Sequence, residues 1–181
     1  VIKLPLPPGT LLDLWKDNER FKAGYLNKFP GYYFSGDGGY KDDDDYIYIT
    51  GRVDDVINVA GHRLSTAEME EIVASHHSVA ECAVIGINDE LKGQIPLALV
   101  VAKSGEDIEH FQLQYEVVHL VREQIGAVAS LRDVVVVNRL PKTRSGKILR
   151  KMMRSIANGE QFQIPSTIDD EAIIDEIRDV L

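Results

Sequence analysis

The sequence predicts an α+β fold: a small three-stranded sheet with helices packed on it, plus a short β-hairpin. Three observations carry this prediction. Two apolar runs, Val79 to Ile87 and Ile95 to Ala102, flank the polar turn Asn88 to Gln94, and a third run, Val134 to Val137, follows later. Short apolar runs rich in β-branched residues and bounded by polar turns are buried strands. The stretch from His110 to Ile125 instead carries Phe111, Tyr115, Val118, Val121 and Ile125 at spacings of 4, 3, 3 and 4, the period of a helix with one apolar side. Strands and helices alternating in this way pack as helices against a sheet.

Composition narrows the class further. The 181 residues hold 29 acidic against 20 basic side chains, a net charge of −9, with 44% apolar and 27% charged residues. A chain of that make-up buries a real core, which excludes disordered, collagen-like and disulfide-framework proteins. The single cysteine, Cys82, excludes an internal disulfide and a cysteine-rich metal site. The net acidity argues against nucleic acid or an anionic membrane as a general partner. No apolar run approaches the roughly 20 residues that cross a bilayer. The expectation is a soluble, cytoplasmic protein, with the mitochondrial matrix as the eukaryotic counterpart. The chain opens at Val1 without Met, and Pro5, Pro7 and Pro8 force an extended path, so it reads as an interior segment of a longer protein.

In chain order, residues 1–50 are rich in aromatics, and Gly36-Asp37-Gly38-Gly39 is a permissive turn. Asp42 to Asp45 lack the spacing of a calcium loop and form a solvated hairpin turn before the strand Tyr46 to Thr50. Val56 to Val59 is a short strand. Ser65 with Glu68 three residues on is a capping box, and Met69, Ile72 and Val73 give the helix after it one apolar side. His76 and His77, near the end of that helix, are expected as surface groups favoured by its dipole. Gly126 is a C-cap for the 110–125 helix. Pro141 to Gly146 is expected as a mobile loop, and Ile148 to Ala157 as a basic helix.

Charge singles out three places. Between Pro141 and Asn158 stand Lys142, Arg144, Lys147, Arg150, Lys151 and Arg154 with no acidic residue, an anion-attracting spot in an acidic chain. Lys147 follows Ser145-Gly146, so its ammonium sits on a hinge-like loop; Pro141 stands where a Walker loop needs its first glycine. In Gly51-Arg52-Val53-Asp54-Asp55, Arg52 is a rigid donor fork suited to phosphate or ribose oxygens, or else a surface partner of Asp54 or Asp55. Asp37 can accept from two vicinal hydroxyls. Arg122 projects onto the side of Phe111, Tyr115 and Val118, where it either snorkels past its neighbours or awaits an anion.

Three stretches together resemble the late motifs of the AMP-forming acyl-CoA synthetases of the adenylate-forming superfamily. They are Tyr33-Phe34-Ser35-Gly36-Asp37, the run Gly51 to Leu64, and Pro141-Lys142-Thr143-Arg144-Ser145-Gly146-Lys147-Ile148. Asn58 and the run Gly61 to Glu68 look most like the acetyl-/propionyl-CoA synthetase branch. Asn88 stands where a proline is common, and Ser65 where that branch often has glycine.

The resemblance implies a C-terminal fragment. Residues 1–53 would be the tail of the large N-terminal domain, 54–55 the hinge, and 56–181 a mobile C-terminal domain; the phosphate loop and the acyl pocket would lie upstream, leaving the fragment alone inactive. It implies ATP or AMP, Mg2+ and coenzyme A as substrates or ions of the whole enzyme, and a small carboxylate as the acid activated. Asp37 would bind the ribose hydroxyls, and Arg52 and Arg63 nucleotide oxygens. Lys147 would be catalytic in acyl-adenylate formation. Asp54 would be the pivot, and Gly61, Arg63 and Arg122 would take coenzyme A, with Arg122 in the family's Arg-x-x-Ile-Gly segment. A lysine acyltransferase and deacylase acting on Lys147 are implied partners. Two rivals stay open: an adenylation domain that loads a carrier protein, against which Arg122 and Gly61 to Leu64 weigh, and a non-catalytic binding or regulatory module.

Overall fold

The computed structural model describes residues 1–105 and 108–181, which divide into two compact units, Val1–Asp54 and Asp55–Leu181. The first contains β1 (Ile2–Lys3), α1 (Asn18–Phe21), β2 (Tyr32–Tyr33), β3 (Asp37–Lys41) and β4 (Ile47–Arg52). The Asp17 carboxylate accepts from the Arg20 N–H at 3.3 Å and starts α1, which runs on through a π-helical turn, Lys22–Leu26. The buried Phe21 ring meets Tyr25, and Tyr25 stacks on Tyr33 with centroids 5.2 Å apart. β3 and β4 form an antiparallel hairpin with Asp37 opposite Arg52. Its turn is closed by Asp42, whose carboxylate accepts from the N–H groups of Asp44 (3.0 Å) and Tyr46 (2.9 Å), while Lys41 pairs with Asp45.

The second unit contains β5 (Val56–Val59), β6 (His62–Ser65), α2 (Thr66–Ala74), β7 (Val79–Asp89), β8 (Gly93–Ala102), α3 (His110–Gln124), β9 (Asp133–Val136), α4 (Arg150–Ala157) and α5 (Ile173–Val180). The three strands expected from the apolar runs are β7, β8 and β9. β7 lies antiparallel along one whole edge of β8; on the other edge β9 pairs in parallel with Leu97 to Val100, and β5 joins at Val59 opposite Gly93. The β5–β6 hairpin therefore docks onto the three-stranded sheet and extends it to five strands.

Helices on both faces explain why β7 and β8 are apolar at nearly every position rather than at alternate ones. Val84, Ala98, Val100 and Val134 point to one face, against Met69, Ile72 and Val73 of α2 and Leu113, Val117 and Val121 of α3. Ala83, Ile85, Leu97 and Leu99 point to the other, against Met152 and Met153 of α4 and Ile173, Ile174 and Ile177 of α5. The Ser65 hydroxyl accepts from the Glu68 N–H at 3.4 Å and caps α2, as the capping box requires. The Gly126 N–H closes α3 onto the Arg122 carbonyl at 3.0 Å, with φ +101°.

Three local expectations need correction. The apolar side of α3 is Leu113, Val117 and Val121, not the stripe through Phe111 and Tyr115, which are 80% and 66% exposed. Both rows have helical spacing, and contact with the sheet decides between them. His76 is buried rather than a surface group: its Nε2 lies 2.8 Å from Glu116 of α3, and its Nδ1 accepts from the Ser78 N–H at 3.2 Å. The basic helix starts at Arg150 rather than Ile148, because Ile148 pairs with Lys142 and the Leu149 N–H donates to the Pro141 carbonyl at 2.9 Å.

Candidate functional site

In the first unit the structure gathers Asp37, Arg52 and Asp54. Arg52 ends β4 opposite Asp37, the first residue of β3. Its Nη1 donates to the Ser35 carbonyl at 2.9 Å and to Asp37 Oδ1 at 3.2 Å, while its Nε donates to Asp54 Oδ1 at 3.2 Å. The Arg52–Asp54 surface pair is thus real, but it is one part of a three-point clamp. Gly36 makes the clamp possible. Its φ is +81°, and a Cβ there would lie 2.5 Å from Arg52 Nη2, so a side chain would displace the guanidinium. Burial, the largest influence on Arg52, opposes its charge; Asp54 and Asp37 outweigh it and hold the group firmly protonated. Arg52 and Asp37 remain 48% and 39% exposed, so the fork and the carboxylate face solvent as a joint donor–acceptor surface.

In the second unit the expected residues fall on two loops and a cleft. Ala60 and Gly61 close β5 onto β6 in a two-residue turn, with φ +49° and +89°. Positive φ at both positions matches the twist of the flanking strands. A Cβ at Gly61 would meet nothing within 4 Å, so the space beside the turn is open, and His62 and Arg63 next to it are exposed.

Arg122, exposed in the last turn of α3, borders a cleft of about 230 Å³ with Lys92, Arg132, Val118, Val121 and the 126–131 turn. It stands beside the apolar side of α3 rather than on it. Lys92 Nζ donates to Ser130 Oγ at 2.7 Å, so three cations converge on this cleft. Lys92 also joins the cleft to the Gly61 turn, since its carbonyl accepts from the Ala60 N–H at 2.8 Å. The sequence reading missed Lys92 and Arg132; the parallel β8–β9 register is what brings them together.

The expected mobile loop around Lys147 is a closed hairpin. Thr143 N–H donates to the Lys147 carbonyl and Gly146 N–H to the Thr143 carbonyl, both at 2.8 Å, with Gly146 at φ +82°. This is a type I turn followed by a left-handed glycine. The Lys147 side chain is exposed, and among the described residues its ammonium makes no ion pair. The helix that follows is anchored from below: Arg150 forks onto Glu70 through Nε and Nη2, both at 2.8 Å, and Glu70 also accepts from the Val84 N–H at 2.8 Å.

The two loops sit at opposite ends of β7. Lys142, opening the Lys147 turn, binds Glu81 at 2.7 Å near the start of β7, whereas the Gly61 turn and the Arg122 cleft meet at Lys92, just past its end at Asp89. Glu81 and Asp89 are eight rises apart along the strand, roughly 26 Å at 3.3 Å per residue.

Residues 68–147 match the family described as the AMP-binding enzyme C-terminal domain. Over this stretch the chain is similar to that family. All of the chain aligns at 51% identity with the mitochondrial acyl-CoA synthetase short-chain family member 3 of Mus musculus, covering 26% of that protein. It aligns at 45% over 95% of its length with the acetyl-coenzyme A synthetase of Bdellovibrio bacteriovorus, covering 27% of it. The fold is similar to the crystal structure of ATP-bound MatB from Rhodopseudomonas palustris, with a TM-score of 0.65 and 26% identity over 79% of this chain and 27% of that one. The chain therefore spans about a quarter of the length of the relatives it matches.

Proposed function

We propose that this chain is the C-terminal part of an ATP-dependent, AMP-forming short-chain acyl-CoA synthetase acting on acetate or propionate. In the first half-reaction a carboxylate oxygen attacks the α-phosphorus of ATP, the bond to the β-phosphate oxygen breaks, and pyrophosphate leaves. In the second, the sulfur of coenzyme A attacks the acyl carbon, the bond to AMP breaks, and the thiol proton is released.

What supports this reading most is the placing of the Lys147 turn and the Gly61–Arg122 region at opposite ends of β7, because one domain can then present either end to a nucleotide. Lys147 bridges the acid's carboxylate and the α-phosphate, offsetting the repulsion of two anions. Asp37 accepts from the ribose hydroxyls, and Arg52, held by Ser35, Asp37 and Asp54, donates to ribose and phosphate oxygens. Asp54 is the pivot between residues 1–53, the tail of a larger N-terminal domain, and 56–181. After the pivot turns, the open space beside Gly61 admits the pantetheine chain, and Arg63 and Arg122 take phosphates.

Among the described residues no three His, Cys, Asp or Glu side chains gather as a metal site. Mg2+ would be held by the nucleotide's own phosphates, as is usual for this ion, and would neutralise part of their charge. The chain by itself, lacking an acyl pocket, is inactive. Lys147 is exposed enough for a lysine acyltransferase to neutralise and a deacylase to restore. No helix among the described residues is long and apolar enough to cross a membrane. A compartment where acyl-CoA is made, cytoplasm or mitochondrial matrix, fits the relatives.

The longer protein carrying this chain tests the proposal. Acetate- and propionate-dependent ATP–pyrophosphate exchange, followed by acyl transfer to coenzyme A, is the expected result. Transfer to a holo carrier protein instead would establish the rival adenylation domain, and no exchange with any short acid would leave a binding module.

A further inference from the structure

The Lys147 hairpin is not held by its own turn alone. The segment 166–169 runs beside it, joined by one isolated antiparallel bridge: the Arg144 N–H donates to the Thr167 carbonyl at 3.0 Å, Arg144 Nη2 to the Ser166 carbonyl at 3.1 Å, and the Asp169 N–H to the Lys142 carbonyl at 3.0 Å. Thr143 lies opposite Ile168, which is buried in the α4–α5 side of the core. Just beyond, Arg139 ties the segment down through Asp170 (2.7 Å) and Glu176 of α5 (3.1 Å). Inside the hairpin the Thr143 hydroxyl accepts from the Lys147 backbone N–H at 3.1 Å and shares a 3.0 Å hydrogen bond with Ser145 Oγ.

These bonds fix the backbone on both sides of Lys147 and leave only its side chain free. An exposed ammonium on a loop samples many positions, whereas one that must lie between a carboxylate and a phosphate has a tolerance near 1 Å. We propose that the Thr143 hydroxyl and the 166–169 segment together set the height and direction of Lys147 for acyl-adenylate formation, which makes Thr143 a positioning residue. The proposal rests on the assignment of Lys147 to that half-reaction. It extends the site to a C-terminal segment outside the 68–147 match.

In the longer protein, Thr143→Val, Thr143→Ser and Lys147→Ala are compared in ATP–pyrophosphate exchange and in thioester formation from preformed acyl-AMP. Thr143→Val keeps the side-chain volume but loses the acceptor. The expected result is a fall in the kcat of exchange of about 10- to 100-fold with KM for ATP unchanged. Thioester formation stays intact, and Thr143→Ser restores exchange. Equal loss of both half-reactions in Thr143→Val, or no rescue by serine, would overturn the positioning role. Normal exchange in Thr143→Val with exchange lost in Lys147→Ala would overturn it too while sparing Lys147; normal exchange in Lys147→Ala would overturn the underlying assignment instead.

Discussion

Arg52 Nη1 donates to Asp37 Oδ1 at 3.2 Å across the β3–β4 ladder, in a register that places the two residues directly opposite each other. The guanidinium reaches this position by lying over Gly36. Substituting Gly36→Ala adds a Cβ at 2.5 Å from Nη2 and strains a backbone at φ +81°. The expected outcome in the longer protein is a rise in KM for ATP of about tenfold, the worth of one charge-assisted hydrogen bond. Steady-state kinetics at varied ATP reads it directly.

Glu70 joins three elements through one carboxylate, accepting from Arg150 of α4 and the backbone of Val84 in β7. It is only 16% exposed. Glu70→Ala strands a half-buried guanidinium and a backbone N–H together. A loss of about 2–3 kcal/mol is expected from urea unfolding, while Glu70→Ala/Arg150→Met, which removes both charges, recovers part of it.

Cys82 has a chemical signature. Burial, with Glu70 adding to it, pushes its thiol up to about 11 despite the opposing Arg150. At pH 8 the folded protein is expected to react with a disulfide reagent far more slowly than the urea-unfolded chain, and rate measurements in the two states check it.

Acid sensitivity follows from Arg139. An N–H of Ala172 and then Arg139 hold the Asp170 carboxylate below its ordinary range, and Arg139 does the same to Glu176. Lowered carboxylates stabilise the fold above their unfolded values of about 4 and lose that contribution as pH falls through the lower folded ones. Arg139→Met is therefore expected to bring the denaturation midpoint down by more at pH 7 than below about pH 4, a narrowing that unfolding curves across this range display.

The three cations of the Arg122 cleft predict a selective effect. Lys92→Ala and Arg122→Ala are expected to raise KM for coenzyme A by about tenfold each and leave pyrophosphate exchange unchanged. A parallel loss of exchange would assign the cleft to the nucleotide instead.

Much of this architecture was legible from local patterns. Val79 to Ile87 and Ile95 to Ala102 are apolar at both parities because both faces of the sheet are covered, and Ser65 with Glu68 marks the start of α2. The tightest site contacts were legible as motifs but not as geometry. Nothing local to Arg52 distinguishes Asp37, 15 residues away, from Asp55 as its partner; the hairpin register does. Arg122 does lie on the side of Phe111 and Tyr115, but that side faces solvent rather than the core, since Phe111 and Tyr115 satisfy a helical period as well as Leu113 and Val117 do. Lys92 enters its cleft only through the parallel β8–β9 register, which sets the start of β8 beside Ser130. The last 24 residues went unread, although Ile173, Ile174 and Ile177 carry helical spacing, and it is there that the segment bracing Lys147 lies.

The central claim is that opposite ends of one sheet serve opposite half-reactions. Lys147→Ala in the longer protein, assayed separately for acid-dependent ATP–pyrophosphate exchange and for thioester formation from preformed acyl-AMP, tests it most directly. Loss of exchange of at least about 100-fold with thioester formation retained is the predicted result. Equal loss of both would contradict it, because a lysine that serves only one end of the domain has no part in the chemistry at the other.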